Sequence, residues 1–319
     1  MTPGPPETDP PNWPAPTSPP VASPPPPAPP SAWTPAAAPP ASTAGSNPSN
    51  APPPPPAGAD RGRVRPWWGM GDVLLAVPLT IVVLLVGFVV LAVLASIEGI
   101  SLDDLADDAP LPGSMLVIPT LIQQAAWFGW PFVVSRWKGL GPAADWGWAF
   151  KPADIGIGFG TALIGLFAAG AVGTGTAALV DLEDDEAAEN TALLTDLEGS
   201  PWLWGVIFMV VIGAPFAEEV LFRGLVLRAV AKRWGVVAGV IGSLLTFVPI
   251  HFADGGVFVD GRFAITDGQI VLWATIAALG LVLAVVTVRT ERLAAAIVAH
   301  ILINGVGVIG ALEVFGELG

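Results

Sequence analysis

Three short clusters hold the residues of this chain best suited to acid–base chemistry. The first is Glu218-Glu219-Val220-Leu221-Phe222-Arg223-Gly224, the second Phe247-Val248-Pro249-Ile250-His251, and the third His300-Ile301-Leu302-Ile303-Asn304. The chain has only two histidines and no cysteine. Any imidazole chemistry therefore falls to His251 and His300, and disulfides, thiolate metal sites and cysteine nucleophiles are excluded. Glu219 and Arg223 are four apart and can pair on one helix face. Glu218 points about 100° away from Glu219 and is left for another partner. A carboxylate in low-dielectric surroundings suits general acid or base work. His300 and Asn304 share one face of a helix, and two polar groups aimed at one point could donate hydrogen bonds to a developing oxyanion. Each cluster also has a plainer reading: an ion pair capping a helix end, a histidine meeting water beside Asp254 and Gly255, and hydrogen-bond glue between helices.

The elements that carry these clusters are apolar. Of 319 residues, 53% are hydrophobic and 13% charged, and the mean hydropathy is +0.66. Soluble domains carry about 25% charged residues. Apolar runs long enough to cross a bilayer as helices recur from about residue 70. They cover about 71–96, 114–135, 154–180, 201–222, 236–253, 269–288 and 293–313. The expected fold is an all-α membrane protein, a polytopic bundle of about seven transmembrane helices, with eight as the alternative count. The third and fourth runs are rich in Gly and Ala, which favours close helix packing in lipid. The fourth run stays apolar to Val230, too long for a straight span of a roughly 30 Å hydrocarbon core. A kink or break near Gly213–Pro215, or a strong tilt, is expected there. Pro249 removes a backbone donor just before His251, which predicts a local kink.

Residues 1–64 are different in kind. Residues 1–56 hold 24 of the 35 prolines, and such a segment buries too little apolar surface to offset the entropy of ordering. It reads as a disordered Pro/Ala-rich tail, not a signal peptide, because it lacks a basic start and an apolar run. The tail is a spacer or a ligand for a proline-recognition domain. The division is a tail at 1–64, N-terminal transmembrane helices at 65–199, and a membrane domain carrying the three clusters at 200–313.

Charge sets the orientation. Arg61, Arg63 and Arg65 precede the first run, and Arg136, Lys138 and Lys151 lie between the second and third. Arg228, Lys232 and Arg233 end the fourth, and Arg289 and Arg292 join the last two. The alternate loops are acidic, around Asp103–Asp108 and Asp181–Glu198. The positive-inside rule places the N-terminus in the cytoplasm. Trp67, Trp68, Trp137, Trp146, Trp148, Trp202, Trp204 and Trp234 lie near run ends, as an aromatic belt would. The net charge of −14 argues against nucleic-acid binding.

Counting rise from the basic ends puts Glu218 at roughly 15–22 Å, His251 at roughly 24 Å and His300 at roughly 12 Å. These depths allow the three clusters to meet if the helices tilt. Together, in order, and each on its own apolar run, the clusters resemble the CPBP family of intramembrane proteases. That family includes the Rce1-type CAAX prenyl endopeptidases and the bacterial Abi or lysostaphin-resistance-like immunity-related proteins. The resemblance covers about residues 200–310. It implies that Glu218 and His251 hold and activate a water, and that His300 and Asn304 form the oxyanion site. It further implies that Glu219 and Arg223 orient the site, with Phe247 packed beside it. Glu218, His251 and His300 could in principle ligate one zinc, although no HExxH helix is present. Metal-free, glutamate-activated water uses the same residues. The expected function is an endopeptidase acting at or within the bilayer of a bacterial membrane, with lipid and a peptide or protein substrate as partners. The alternatives are a non-catalytic membrane immunity or scaffold protein and, third, a small transporter with a Glu218–Glu219 proton relay.

Overall fold

The computed structural model describes residues 68–101, 111–180, 197, 199–252, 258–259, 262–263 and 265–318. The proline-rich tail and its suggested partner, Arg61, Arg63, Arg65, Trp67, Asp103–Asp108, most of the 181–198 loop, and Asp254 with Gly255 lie outside the described residues.

Each of the seven apolar runs is built around a helix. Helix α1 is Met70–Glu98 and α2 is Gly113–Lys138. A short α3, Pro142–Trp146, leads to α4, Ala153–Val180. Helix α5 runs from Trp202 to Trp234, and α6 from Val236 to Phe247. After α6 comes a 3-10 turn, Val248–Phe252, then a two-stranded antiparallel ladder, β1 Phe258–Val259 with β2 Arg262–Phe263. Helices α7, Asp267–Thr290, and α8, Ala294–Leu318, complete the chain. Among the described residues, five helices are long and apolar enough to span a membrane: α1, α4, α5, α7 and α8. Helix α2 is also long enough, but it carries Gln123, Gln124, Pro119 and Pro131 and is less apolar.

Burial follows lipid logic. Helix α1 turns Leu74, Leu85, Phe88 and Val89 outward, where hydrocarbon rather than water is the solvent. Helix α5 is the central element: half of its most apolar stretch is buried, against 17% for α1. It packs against α2, α6 and α8. Helix α4 packs against α7 and α8. Its Gly158 lies against Val298 and its Gly165 against Ile303, so small residues let these helices approach closely.

Helix α5 does not break at Gly213–Pro215. It is one continuous helix whose register changes instead. Trp202–Phe208 is α, Met209–Gly213 is π, Ala214–Glu218 is α, Glu219–Val226 is π, and Leu227–Trp234 is α. Pro215 sits at the start of the second α segment, a position that tolerates its missing N–H. The irregularity expected there takes the form of hydrogen-bond slippage, a known way for a helix to carry one. At Pro249, where a local kink is expected, the α-helix gives way to the 3-10 segment.

The basic residues gather at one end of the bundle. Lys138 Nζ pairs with buried Asp72 Oδ1 at 2.6 Å, tying α2 to α1. Lys232 Nζ sits 3.0 Å from the Trp68 ring centre, tying α5 to the start of α1. Arg228 donates to the Glu291 carbonyl, and Arg292 grips buried Asp154 through Nε and Nη2. The Asp154 hydrogen bond holds the Arg292 guanidinium above its ordinary pKa. Trp137, Trp204 and Trp234 are exposed, as a belt requires, but Trp68 and Trp146 are buried. Trp146 stacks edge-on against Phe132 at 4.6 Å because α3 folds it back into the core. That placement is fixed by Asp145, which accepts from Ser135 Oγ at 2.5 Å and from the Leu140 and Gly141 amides.

Candidate active site

The three polar clusters converge on one cavity of about 570 Å³. Glu218 from α5, Phe247 from the end of α6, His251 from the 3-10 turn that follows, and His300 and Asn304 from α8 all line it. Glu219 and Arg223 stand behind that wall, both fully buried. The depth counts from the sequence are therefore compatible with the packing.

Glu219 is the hub of the buried polar network. Its Oε1 lies 3.0 Å from Arg223 Nη1 and 2.9 Å from His300 Nδ1. The pairing with Arg223 is the one expected from the four-residue spacing. The contact with His300 is new: it links α5 to α8 and fixes the imidazole. With Nδ1 turned to Glu219, the other ring nitrogen, Nε2, lies 3.8 Å from Glu218 Oε2 at the cavity. Glu218 thus has the different partner that its 100° offset demanded.

Arg223 has two further contacts. Nη2 donates to the Gly280 carbonyl of α7 at 3.2 Å, and the guanidinium lies 4.3 Å from the Phe247 ring centre. A buried guanidinium needs such partners because it cannot shed its charge. Gly280 allows the approach: a Cβ there would stand about 3.1 Å from Phe247 and 3.3 Å from Arg223. Phe247 is the packing centre, with ring contacts to Phe222 and His251 at 5.3 Å and to His300 at 6.4 Å.

Asn304 shows how the irregular helix is satisfied. In the first π segment the Ala214 amide donates to the Met209 carbonyl, five residues back. The next residue in that register is Pro215, which has no N–H, so the Val210 carbonyl loses its helical donor. Asn304 Nδ2 supplies one at 2.8 Å. Gln124 Nε2 of α2 approaches the neighbouring Met209 carbonyl at 3.3 Å. Two side-chain amides from two other helices therefore cap two successive carbonyls of the π segment. Met209, Val210, Ala214 and Glu218 all border the cavity, consistent with irregular backbone at membrane depth lying against a cavity.

Among the described residues, no three His, Cys, Asp or Glu side chains are grouped to hold a metal ion. Glu218, His251 and His300 border one cavity; Glu219 engages His300 Nδ1, and His300 Nε2 lies 3.8 Å from Glu218 Oε2. A carboxylate on one ring nitrogen with the other turned to the cavity suits either a bound water or a metal ligand. Thr120, Gln123 and Gln124 of α2 also line the cavity and escaped the sequence argument, which weighed ionisable residues. The signal was there: two adjacent glutamines inside an apolar run.

Residues 200–306 match the family model described as type II CAAX prenyl endopeptidase Rce1-like. The matched segment contains every motif residue named above. The matched model describes an endopeptidase family, and the five long apolar helices mark an integral membrane protein. No curated protein and no solved structure matches the chain.

Proposed function

We propose that this protein is an intramembrane endopeptidase that hydrolyses a peptide bond with a water activated by Glu218 and His251. The observation that carries the reading is the convergence of Glu218, His251, His300 and Asn304 on one cavity within the Rce1-like segment. The carboxylate of Glu218 takes a proton as the water oxygen bonds to the scissile carbonyl carbon. The carbonyl electrons move to oxygen, and that oxyanion accepts hydrogen bonds from the second Nδ2–H of Asn304 and from His300, whose ring must carry a proton on Nε2 as well as on the Nδ1 that donates to Glu219. Collapse breaks the C–N bond, and Glu218 returns its proton to the leaving amine. Glu219 holds His300 through Nδ1, and Arg223 balances the Glu219 charge. This route needs no metal, and termini that persist after chelation of wild-type membranes would support it.

A substrate with an accessible C-terminal segment near the membrane fits a CAAX-type precedent. The basic end of the bundle would face the cytoplasm of a bacterial cell. A non-catalytic immunity or scaffold protein is the second reading. It is favoured by one observation: His300 Nδ1 and Asn304 Nδ2 both serve as interhelical hydrogen bonds.

The experiment compares peptide termini across membranes expressing wild type or Glu218→Ala, matched for folded protein. New termini that need Glu218 support the protease and identify its substrates. Identical termini with both proteins intact support the scaffold.

A further inference from the structure

The cavity has a second polar wall that the three motifs do not supply. It is the face of α2 on which Leu116, Thr120, Gln123, Gln124 and Trp127 recur at helical spacing. This wall lies outside the matched segment 200–306. Its polar residues are satisfied to different degrees, and buried Gln124 Oε1 has no hydrogen-bond partner among the described residues. Thr120 Oγ1 donates to the Leu116 carbonyl one turn back at 2.7 Å. Gln124 Nε2 reaches the Met209 carbonyl, and its amide rests against Gly213, where a Cβ would collide with Oε1. Gln124 thereby fastens α2 to the π segment of α5. Gln123, next in sequence, makes no hydrogen bond or ion pair with any described residue and still lines the cavity. An amide left without a partner at membrane depth is costly, so such side chains face water or a polar ligand.

A peptide entering the cavity brings the same problem. Only the scissile carbonyl meets His300 and Asn304. The neighbouring backbone N–H and C=O groups also leave water and need partners inside. A side-chain amide offers both a donor and an acceptor and carries no charge. It therefore complements a peptide unit without selecting side chains.

We propose that the α2 wall is a subsite for the main chain of the peptide substrate, with Gln123 touching the substrate and Gln124 holding the wall in place. The proposal rests on the proteolytic reading. It makes the N-terminal helices part of the site and assigns them main-chain recognition.

The test uses the full-length chain in liposomes. The probe is a synthetic peptide spanning the most abundant Glu218-dependent terminus, with analogues in which one amide at a time is replaced by an ester. Gln123→Leu should raise KM about three- to tenfold, the worth of one hydrogen bond, and leave kcat within about twofold. At least one ester analogue should lose a similar factor against wild type and nothing further against Gln123→Leu. Gln123→Met serves the same cycle if the leucine variant fails to fold. An unchanged KM, or ester penalties equal in wild type and variant at every position, overturns the subsite and leaves the protease intact. Cleavage of the probe by Glu218→Ala at the wild-type rate overturns the protease and the subsite with it.

Discussion

Replacing Glu219 with leucine should destabilise the protein by about 3–5 kcal/mol, the cost of leaving a buried charge without its partner. The figure follows from the surroundings. Glu219 and Arg223 have no solvent exposure, and their nearest atoms are 3.0 Å apart. Without Glu219, the guanidinium keeps only the Gly280 carbonyl and the Phe247 face. Those contacts give Nη2 one acceptor, leave Nε and Nη1 without a hydrogen bond, and do not neutralise the charge. His300 Nδ1 loses its acceptor as well. The double variant Glu219→Leu/Arg223→Met removes both charges and should recover most of the loss, because an apolar pair of similar volume is often neutral. The assay is reversible unfolding in mixed micelles for wild type, both single variants and the double. The coupling energy from that cycle should exceed about 1.5 kcal/mol, well above additivity error. A Glu219→Leu loss below about 1 kcal/mol, or coupling near zero, would refute the claim that this carboxylate is the hub of the buried network.

The other expectations are more local. Asn304→Leu should cost about 1–3 kcal/mol by orphaning the Val210 carbonyl, and Pro215→Ala should recover part of that by supplying the missing amide; unfolding midpoints of the four proteins decide it. Gly213→Ala should lower stability by about 1–3 kcal/mol because its Cβ meets the Gln124 amide, and the penalty should shrink in a Gln124→Ala background. Glu218→Gln should abolish turnover while leaving the unfolding midpoint near wild type, read by termini comparison and thermal unfolding together. Asp72→Ala should loosen the start of α1, because Lys138 then loses its partner, visible as faster hydrogen exchange at residues 70–76 with little change at 214–224.

The bundle was legible in the sequence because hydropathy in lipid is a coarse and strong signal. Every apolar run became a helix, and the motif spacing pointed to partners that the packing brings together. Glu219 with Arg223 needed only helix geometry. Glu219 with His300 did not follow from spacing, since it depends on how α5 meets α8. The continuity of α5 was not legible either. Gly213 and Pro215 announce an irregularity, but whether a helix kinks or slips to π depends on donors from elsewhere, and here Asn304 and Gln124 provide them. Helix α3 was missed because five residues are too short for a hydropathy window. Trp68 and Trp146 lie near helix ends, where a belt would place them, yet local folding turns both inward. Gln123 and Gln124 are neutral and so were passed over in favour of charged residues.

The two π segments carry a consequence for how this chain can change length. Each takes in about one residue more than an α turn does over nearly the same rotation. Deleting one residue between Met209 and Gly213 would let the stretch relax to ordinary α-helix and leave Glu218 close to its present face. A deletion in the α segments has no such sink and would turn the rest of α5 by about 100°. Glu218 would then swing off the cavity while every side chain kept its identity. The π segments are thus where α5 can lose a residue and keep its facing, a tolerance that no individual side chain encodes.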